Sequence, residues 1–123
     1  MPTRERVKQL IALVERGKFV EALQEFYAAD ASMQENTAPP RVGLANLIAH
    51  ERGVLAAFSE VRTRPVEGYL VNGDRVVINW VFEFVGHDGR TSRMDELAYQ
   101  LWRGDRIVQE RFYYDPAQMR VSA

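Results

Sequence analysis

The spacing of apolar residues changes once along this chain, and that change limits the fold more than any other feature. As far as Phe58, apolar residues recur every three or four positions, as on one face of a helix. Beyond Arg64 and Pro65, apolar and polar residues alternate, which is typical of β-strands. The pattern predicts helices over 3–16, 19–27 and 43–58, an extended segment over 30–35, and strands over 66–71, 75–85, 91–102 and 107–114. This order predicts an α+β fold in which a curved antiparallel sheet wraps around three helices.

Length and composition narrow the class of protein. The 123 residues are the length of one domain, 1–123, and 46% of them are hydrophobic, enough to bury a core. The 16 basic and 17 acidic residues leave a formal net charge of −1, which argues against a nucleic-acid or anionic membrane partner. The absence of cysteine excludes disulfides and thiolate sites, and two histidines are too few for a zinc site built on imidazole. No apolar stretch approaches the ~18 residues of a membrane span. We therefore expect a cytoplasmic protein without a cofactor.

The strand over 75–85 has two unlike faces, and the residues alone leave its orientation open. One face carries Trp80, Phe82 and Phe84, and the other carries Asn79 and Glu83. In the first interpretation, the aromatic face packs in the core and the glutamates of the last strands point into water. In the second, both faces are buried: a concave face with polar groups closes over a cavity, and the aromatic face meets another subunit.

The third helix favours a cavity. Glu51 lies in the middle of its apolar stripe, between Ile48 and Leu55. A charged carboxylate in apolar surroundings is costly unless it is paired, so Glu51 must pair, become protonated or line a wet pocket. The neighbouring His50 could serve as an acid or a base, and packing at the helix edge is its alternative role.

Three segments resemble a known family. They are Phe26-Tyr27-Ala28-Ala29-Asp30-Ala31, then Pro39-Pro40-Arg41-Val42-Gly43, and a tail from Gly104-Asp105-Arg106-Ile107 to Arg111-Phe112-Tyr113-Tyr114-Asp115-Pro116. In order and spacing, the chain resembles the nuclear transport factor 2-like superfamily, most of all its SnoaL-like branch, which is related to ketosteroid isomerases and polyketide cyclases. The resemblance implies a cone, with three helices packed into a strongly curved sheet and a pocket at the wide end.

The resemblance also selects one interpretation of the sheet. It implies a cavity wall formed by residues from the end of the chain: Asn79, Val81, Glu83, Met94, Glu96, Ala98, Gln100, Glu110, Phe112 and Tyr114. The convex face would then carry Ile78, Trp80, Phe82, Leu97, Tyr99 and Arg111. Family members commonly form dimers through this face, and we expect a homodimer here because so large an apolar patch is rarely left in water.

The comparison with the isomerases aligns Glu35 with their general base. Burial raises the pKa of a glutamate in an apolar pocket, which lets it move a proton next to a carbonyl group. The tyrosine and protonated aspartate that hold the oxyanion in the isomerases fall on Ile11 and Ala98, so plain steroid isomerisation is not expected. Tyr27 or Tyr114 could supply a replacement phenol. The other predicted ligand contacts before the last strands are Gln34, His50 and Glu51.

The predicted pocket would be unusually acidic. Its glutamates are Glu35, Glu51, Glu83, Glu96 and Glu110. Such a cluster could share protons, bind a cationic ligand or hold a hard cation, or arginines could neutralise it. We predict no metal, because the sequence has neither EF-hand spacing nor a His-Glu motif.

Two functions remain open at this stage. The first is a cofactor-independent isomerase, dehydratase or cyclase that uses Glu35 on a small apolar or amphipathic carbonyl or hydroxyl compound. The second is a non-catalytic ligand-binding module or dimeric scaffold, which the missing oxyanion donors favour.

Overall fold

Helices and strands follow one another in the order that the sequence predicts. The computed structural model of the protein describes residues 1–119. The helices are α1 (Arg4–Glu15), α2 (Phe19–Phe26) and α3 (Leu44–Ala57). The strands are β1 (Tyr27–Glu35), β2 (Arg41–Val42), β3 (Glu60–Thr63), β4 (Tyr69–Asn72), β5 (Arg75–Val85), β6 (Thr91–Arg103) and β7 (Arg106–Tyr113). A short 3-10 helix, Pro116–Met119, follows β7.

The predicted α+β fold is confirmed. The differences lie at the ends of elements, in two short strands, and in the pairing of β1 with β7, which is parallel although the sequence predicts an antiparallel sheet. β5 has the predicted bounds, β6 ends one residue later than predicted, and β7 begins and ends one residue earlier than predicted. β1 begins at Tyr27, earlier than predicted. The prediction placed Tyr27 in the second helix because this residue continues the apolar spacing of α2 and gives no sign of the change to extended backbone. β4 begins at Tyr69 rather than 66, and β2 and β3 are short strands that the alternation pattern does not show.

Local side-chain chemistry sets the limits of α1. The Oγ1 atom of Thr3 accepts a hydrogen bond of 3.0 Å from the backbone N–H of Arg6, so that Thr3 is the predicted N-cap. Gly17 follows the helix with a φ of 77°, a left-handed conformation that glycine adopts without a steric penalty. No helix of residues 1–119 is long and apolar enough to span a membrane.

The strands form one curved, unclosed sheet. Their order is β2-β1-β7-β6-β5-β3. β4 pairs with the same edge of β5 as β3 does, β4 with the beginning of β5 and β3 with its end. The sheet is mixed, because β1 runs parallel to β7 while the other pairs are antiparallel. Parallel pairing is available to β1 and β7 because most of the chain connects them, whereas a tight hairpin would force antiparallel pairing.

The core lies between the helices and the concave face of the sheet. Its fully buried side chains come from both layers and include Val7, Leu10, Phe26, Leu47, Val76, Ile78, Trp102 and Ile107. Each helix and each long strand therefore contributes to a single apolar layer, and this layer closes one end of the space inside the cone.

The aromatic face of β5 packs towards the helices. Trp80 is 4% exposed and belongs to the core, and Phe82 packs against the same cluster. Trp80 lies directly opposite Glu96 of β6, and Phe82 lies opposite Met94. Directly opposed residues of an antiparallel pair share a face of the sheet, so all of these side chains face the helices.

The prediction that Asn79, Val81 and Glu83 face the cavity is therefore wrong. The prediction that Ile78, Trp80 and Phe82 form the convex face is wrong for the same reason. The cavity faces of β6 and β7 are as predicted, but that of β5 is displaced by one residue, and a one-residue displacement moves every side chain to the other face. Asn79 is exposed and its amide donates to the carboxylate of Asp95 at 2.7 Å.

Candidate functional site

A cavity of about 170 Å³ lies between the helices and the concave face of the sheet. Its walls are mostly apolar and come from both layers: Leu10, Val14, Phe19, Ala22, Leu23, Met33, Val54, Val61, Trp80, Phe82, Phe84, Met94 and Phe112. Its polar lining consists of Tyr27, Glu35, Arg41, His50, Glu51, Glu96 and Glu110. We call the part beside Glu35 and Arg41 the mouth, because their side chains are 39% and 35% exposed, and the part beside Trp80, Glu96 and Glu110 the inner end.

Aromatic rings cover one wall of the cavity. Trp80 and Phe82 stack, with ring centroids 5.9 Å apart, and Phe84 lies 6.2 Å from Phe82 along the same strand. Phe19 of α2 meets Phe82 edge to face, with centroids 6.2 Å apart. This geometry follows from the alternation of β5, which places every second ring on the same face.

Glu110 is held at the inner end by two donors. The Tyr27 hydroxyl donates to its Oε1 atom, and the amide of Gln100 donates to its Oε2 atom at 2.6 Å. The Trp102 indole N–H in turn donates to Gln100 Oε1 at 3.0 Å, which fixes the orientation of the amide. Gln100 and Glu110 meet because they are directly opposed in the β6–β7 pair. Burial raises the pKa of Glu110 to about 7, although the two donated hydrogen bonds oppose that rise.

Tyr27 shares this buried network and is itself harder to ionise. Burial, and then the adjacent Glu110 carboxylate, raise the pKa of the Tyr27 phenol well above its usual value. The phenol therefore stays protonated and serves as a fixed donor to Glu110. Its proton is committed to that bond.

Glu96 lies beside Glu110 but has no partner. Its side chain is 5% exposed, and within residues 1–119 no group donates a hydrogen bond to its carboxyl or forms an ion pair with it. Burial, followed by the charges of Glu110, Glu35 and Glu51, raises the pKa of Glu96 to about 8. The Glu96 carboxyl lines the cavity, so a polar partner for it has to come from that space.

Glu51 of α3 completes the acidic lining. It is half-buried, and burial followed by the charge of Glu35 raises the pKa of its carboxyl. His50 also lines the cavity, one residue earlier on the same helix. Despite this density of acids, no group of three His, Asp or Glu side chains in the described part of the chain could hold a metal ion.

Glu35 and Arg41 form the mouth of the cavity. Arg41 Nη2 lies 3.6 Å from Glu35 Oε2, a loose ion pair that leaves the carboxylate partly in water. Tyr114 lies near them, since burial and then the charge of Glu35 raise the pKa of its phenol. The mouth thus combines a carboxylate, a guanidinium and a protonated phenol.

Asn36 connects the two strand ends at the mouth, and sequence reasoning missed it. It has a φ of 51°, a left-handed conformation that asparagine tolerates better than most residues. Its Oδ1 atom accepts from the backbone N–H of Tyr114 at 3.0 Å, and its backbone carbonyl accepts from Arg111 Nε at 2.8 Å. An asparagine just before Thr37-Ala38-Pro39-Pro40 was a readable turn signal.

With this geometry established, the chain can be compared with known proteins. The family described as the SnoaL-like domain matches residues 7–110, which is most of the chain. The chain belongs to the SnoaL-like domain family. The resemblance to the nuclear transport factor 2-like superfamily is thereby confirmed. No curated protein sequence matches this SnoaL-like domain closely enough to be counted as a relative.

Solved structures share the fold of this SnoaL-like domain. A Mesorhizobium loti protein, provisionally named a SnoaL-like polyketide cyclase, is 24% identical; the alignment covers 93% of this chain and 100% of that one, with a TM-score of 0.78. A Burkholderia pseudomallei NTF2-like protein of unknown function is 17% identical, with 94% and 92% covered and a TM-score of 0.80. A Catenulispora acidiphila protein with a ketosteroid isomerase-like fold, in complex with trimethylamine, is 19% identical, with 94% and 89% covered and a TM-score of 0.78.

The structure brings most of the predicted site residues of this SnoaL-like domain to one cavity. Those that line it are Tyr27, Glu35, His50, Glu51, Met94, Glu96, Glu110 and Phe112. Gln100 lies behind Glu110 and orients it, and Tyr114 lies beside Glu35.

Three predicted site residues lie elsewhere. The amide of Gln34 donates to the backbone carbonyl of Ala38 at 3.0 Å, because alternation along β1 turns Glu35 towards the cavity and Gln34 away from it. Asn79 and Glu83 lie on the convex face, where Glu83 Oε1 is 3.6 Å from Arg64 Nη1. The aromatic residues Trp80, Phe82 and Phe84 were missed as cavity lining, although their size and alternation favoured an inward face.

Proposed function

We propose that this SnoaL-like domain binds a small, largely apolar carbonyl or hydroxyl compound in the cavity and catalyses a proton transfer on it, with Glu35 as the base. The observation that carries the proposal is the mouth, where Glu35 adjoins both an apolar cavity and the two potential donors Arg41 and Tyr114. Ligand binding by this fold, the coarser part of the proposal, is supported by the Catenulispora neighbour, which was solved with a small organic molecule.

The reaction begins with proton abstraction by Glu35. Its carboxylate takes a proton from the carbon next to the substrate carbonyl, and the electron pair of that C–H bond moves to the carbonyl oxygen as an enolate. The phenol of Tyr114 and the guanidinium of Arg41 stabilise the negative oxygen, and so replace the donors that are missing at Ile11 and Ala98. Protonated Glu35 then returns the proton to another carbon.

The same enolate leads to each of the reaction types in the proposal. Return of the proton to a different carbon is an isomerisation. If instead a hydroxyl group leaves from the next carbon and takes the proton from Glu35 to become water, the reaction is a dehydration. If the enolate carbon attacks a second carbonyl of the same molecule, a ring closes and the proton from Glu35 goes to the alkoxide that forms. Glu35 has the same role in all three, so the initial abstraction can be tested without knowing the natural substrate.

Proton abstraction can be measured on cyclohexanone in D₂O, by following loss of its α-proton signals in the ¹H NMR spectrum. The protein should accelerate this exchange above the buffer rate, and Glu35→Gln should lower the acceleration at least ~10-fold, because general base catalysis contributes factors of roughly 10²–10⁴. The control is Glu83→Gln, which removes a carboxylate from the convex face and should leave the rate unchanged. Exchange in Glu35→Gln within about twofold of the unmodified protein would rule out Glu35 as the base.

Non-catalytic binding is the second candidate function. It is favoured by the absence of the isomerase donor pair at Ile11 and Ala98, two apolar positions that are buried in the core. Binding of cyclohexanone in the cavity, seen as chemical-shift changes of Trp80 and Phe82, without any acceleration of exchange would select this function over catalysis.

We further propose that two copies associate through the convex face. Leu97, Tyr99 and Tyr113 lie on neighbouring strands of this face and are 47%, 42% and 44% exposed. Leu97 is directly opposite Tyr113, so the two form a continuous apolar patch. The patch is smaller than the sequence predicted, because Trp80 and Phe82 lie on the other face of the sheet.

A further inference from the structure

We propose that the inner end of the cavity receives a positively charged nitrogen, so that the small apolar carbonyl or hydroxyl compound of the proposed function also carries an amine, with its ammonium group directed inward. This inference concerns the same cavity as the proposed function. Only the statement that the amine is a substrate rests on that function; binding of the amine does not. The reacting carbon would then lie at the mouth, beside Glu35.

The first argument is the sign of the charges around the cavity. Three carboxyl groups, Glu51 of α3, Glu96 of β6 and Glu110 of β7, reach it from three different elements. Among the described residues that line the cavity, Arg41 is the only lysine or arginine, and it is paired with Glu35 at the mouth. No lysine or arginine of the described residues therefore balances the carboxyls of the inner end.

The second argument is the contrast between two neighbouring carboxyls. Glu110 is satisfied by the Tyr27 hydroxyl and the Gln100 amide. Glu96 is as deeply buried, lines the same cavity and has no hydrogen-bond or ion-pair partner within residues 1–119. An ionised carboxylate is tolerated in such a place only with a partner, so a ligand that brings a donor into the cavity would stabilise the ionised form of Glu96.

The third argument is the aromatic wall beside these acids. Trp80 lies directly opposite Glu96 in the β5–β6 pair, and its ring is stacked with that of Phe82. Aromatic faces attract ammonium groups, tryptophan most strongly, and the attraction is larger where water is excluded. A hydrated metal ion has no such affinity for aromatic walls, and the described acids lack a three-ligand geometry, so an organic cation fits better.

The volume limits the size of the amine. The cavity measures about 170 Å³, and an engineered apolar cavity of roughly 150 Å³ holds one benzene molecule. The part of the ligand inside the cone is therefore one six-membered ring or an ammonium group with a few methyl groups.

Binding of a cation here should depend on pH. The titratable and charged groups facing the inner end or the mouth are Tyr27, Glu35, Arg41, His50, Glu51, Glu96, Glu110 and Tyr114. The pKa of Glu96 is raised to about 8 and that of Glu110 to about 7, so both are substantially protonated at neutral pH. A cation favours their ionised forms, and its binding should release protons and strengthen as the pH rises through this range.

The experiment compares cyclohexylamine with cyclohexanol, two ligands of nearly equal size of which only the first is charged. Isothermal titration at about pH 8.5 should give a Kd at least ~10-fold lower for the amine, and this ratio should shrink severalfold at about pH 6, where Glu96 and Glu110 are protonated. The amine itself stays protonated at both pH values. Titration in two buffers of different ionisation enthalpy should show proton release on amine binding.

Variants locate the effect. Glu96→Gln should remove most of the preference for the amine, and Glu83→Gln, the control on the convex face, should keep it. The comparison of amine with alcohol in the unmodified protein needs no variant, so poor folding of Glu96→Gln would not prevent a decision.

Equal affinity for the two ligands, or a preserved preference in folded Glu96→Gln, would overturn the inference. So would failure of the unmodified protein to bind cyclohexylamine at about 10 mM, a concentration that fills even a millimolar site. The amine titrations measure binding and do not depend on turnover. The cyclohexanone exchange measures proton abstraction from a neutral compound and does not depend on binding of a cation. The amine inference and the proposed reaction can therefore fail separately.

Discussion

The two faces of the β5–β6 pair treat polar groups in opposite ways. On the convex face, the Asn79 amide donates to Asp95 at 2.7 Å, and Glu83 lies 3.6 Å from Arg64. On the concave face, Glu96 has no partner within the described residues, although it is 5% exposed. On the convex face, water and dissolved cations screen charges, so an ion pair there adds little to stability. Inside the cone, an ionised carboxylate without a partner is costly. The unpaired carboxyl marks the inside, not the outside, as the functional face.

Apolar residues show the same contrast. Ile78 of β5 is 0% exposed and lies in the core, whereas Leu70 of the neighbouring strand β4 is 70% exposed. Leu70 is paired with Val77, whose side chain lies on the convex face, next to Ile78 along β5. The side chains of Ile78 and Leu70 have the same atoms, so the difference in what they contribute to stability depends on the face that each one occupies.

The largest expected effect in this comparison is on the free energy of unfolding. Ile78→Ala should lower it by about 2–5 kcal/mol, because it removes buried methyl groups and leaves a cavity in the core. Leu70→Ala, its matched control, should cost less than about 1 kcal/mol. Denaturant unfolding of both variants measures the difference. Similar losses in the two variants would contradict the assignment of the faces.

The next effect is the pH dependence of stability. The pKa of Glu96 is about 8 in the folded protein against 4.5 for an ordinary glutamate, so the folded state holds this proton more tightly. The contribution of Glu96 to stability should therefore be fully present below about pH 4.5 and be lost as the pH rises to about 8, above which both the folded and the unfolded protein ionise Glu96. At about pH 9, Glu96→Gln should be more stable than the unmodified protein by up to about 5 kcal/mol, and at about pH 5 the difference should be below about 1 kcal/mol.

Thermal unfolding across this pH range tests the expectation. Glu83→Gln provides the matched control and should show no gain at high pH, because Glu83 is partly exposed and lies beside Arg64. A stability difference between Glu96→Gln and the unmodified protein that does not change with pH would mean that the buried carboxyl is not held protonated.

The smallest effect on the fold is expected for Leu97→Lys. Leu97 is 47% exposed on the convex face, so the far-UV circular dichroism spectrum of the variant should match that of the unmodified protein. Self-association should nevertheless be lost, because a lysine would lie within the proposed contact. Sedimentation at micromolar concentration should give twice the chain mass of 14.1 kDa for the unmodified protein and 14.1 kDa for the variant. A monomeric unmodified protein would refute the proposed dimer.

Much of the fold was predictable because it depends on local patterns. Apolar spacing located the three helices and the long strands β5, β6 and β7. The short strands β2 and β3 were missed because two to four residues are too few to show an alternation. The parallel pairing of β1 with β7 joins distant segments, and no local pattern reports it.

The sequence predicted most of the acidic residues that line the site but not its aromatic wall. Five glutamates were expected in the cavity: Glu83 lies on the convex face, and the other four line the cavity, namely Glu35, Glu51, Glu96 and Glu110. The β5 residues were placed on the wrong face, because the alignment with the isomerases was displaced by one position in this strand and outweighed the plain apolar alternation of Trp80 and Phe82. Asn36 was not considered at all, since its contacts to Tyr114 and Arg111 are made at the far end of the chain.

The sequence by itself determined the order of the elements and the presence of acids at alternate positions in the last strands. Tertiary structure alone decided that Glu110 finds Tyr27 and Gln100 while Glu96 finds no partner. The reason is physical. Alternation predicts that every second side chain of a strand shares a face, but the register between strands decides which face is buried and which residues of the next strand lie beside each side chain. Whether a buried carboxyl is satisfied depends on those neighbours, which lie far away along the chain.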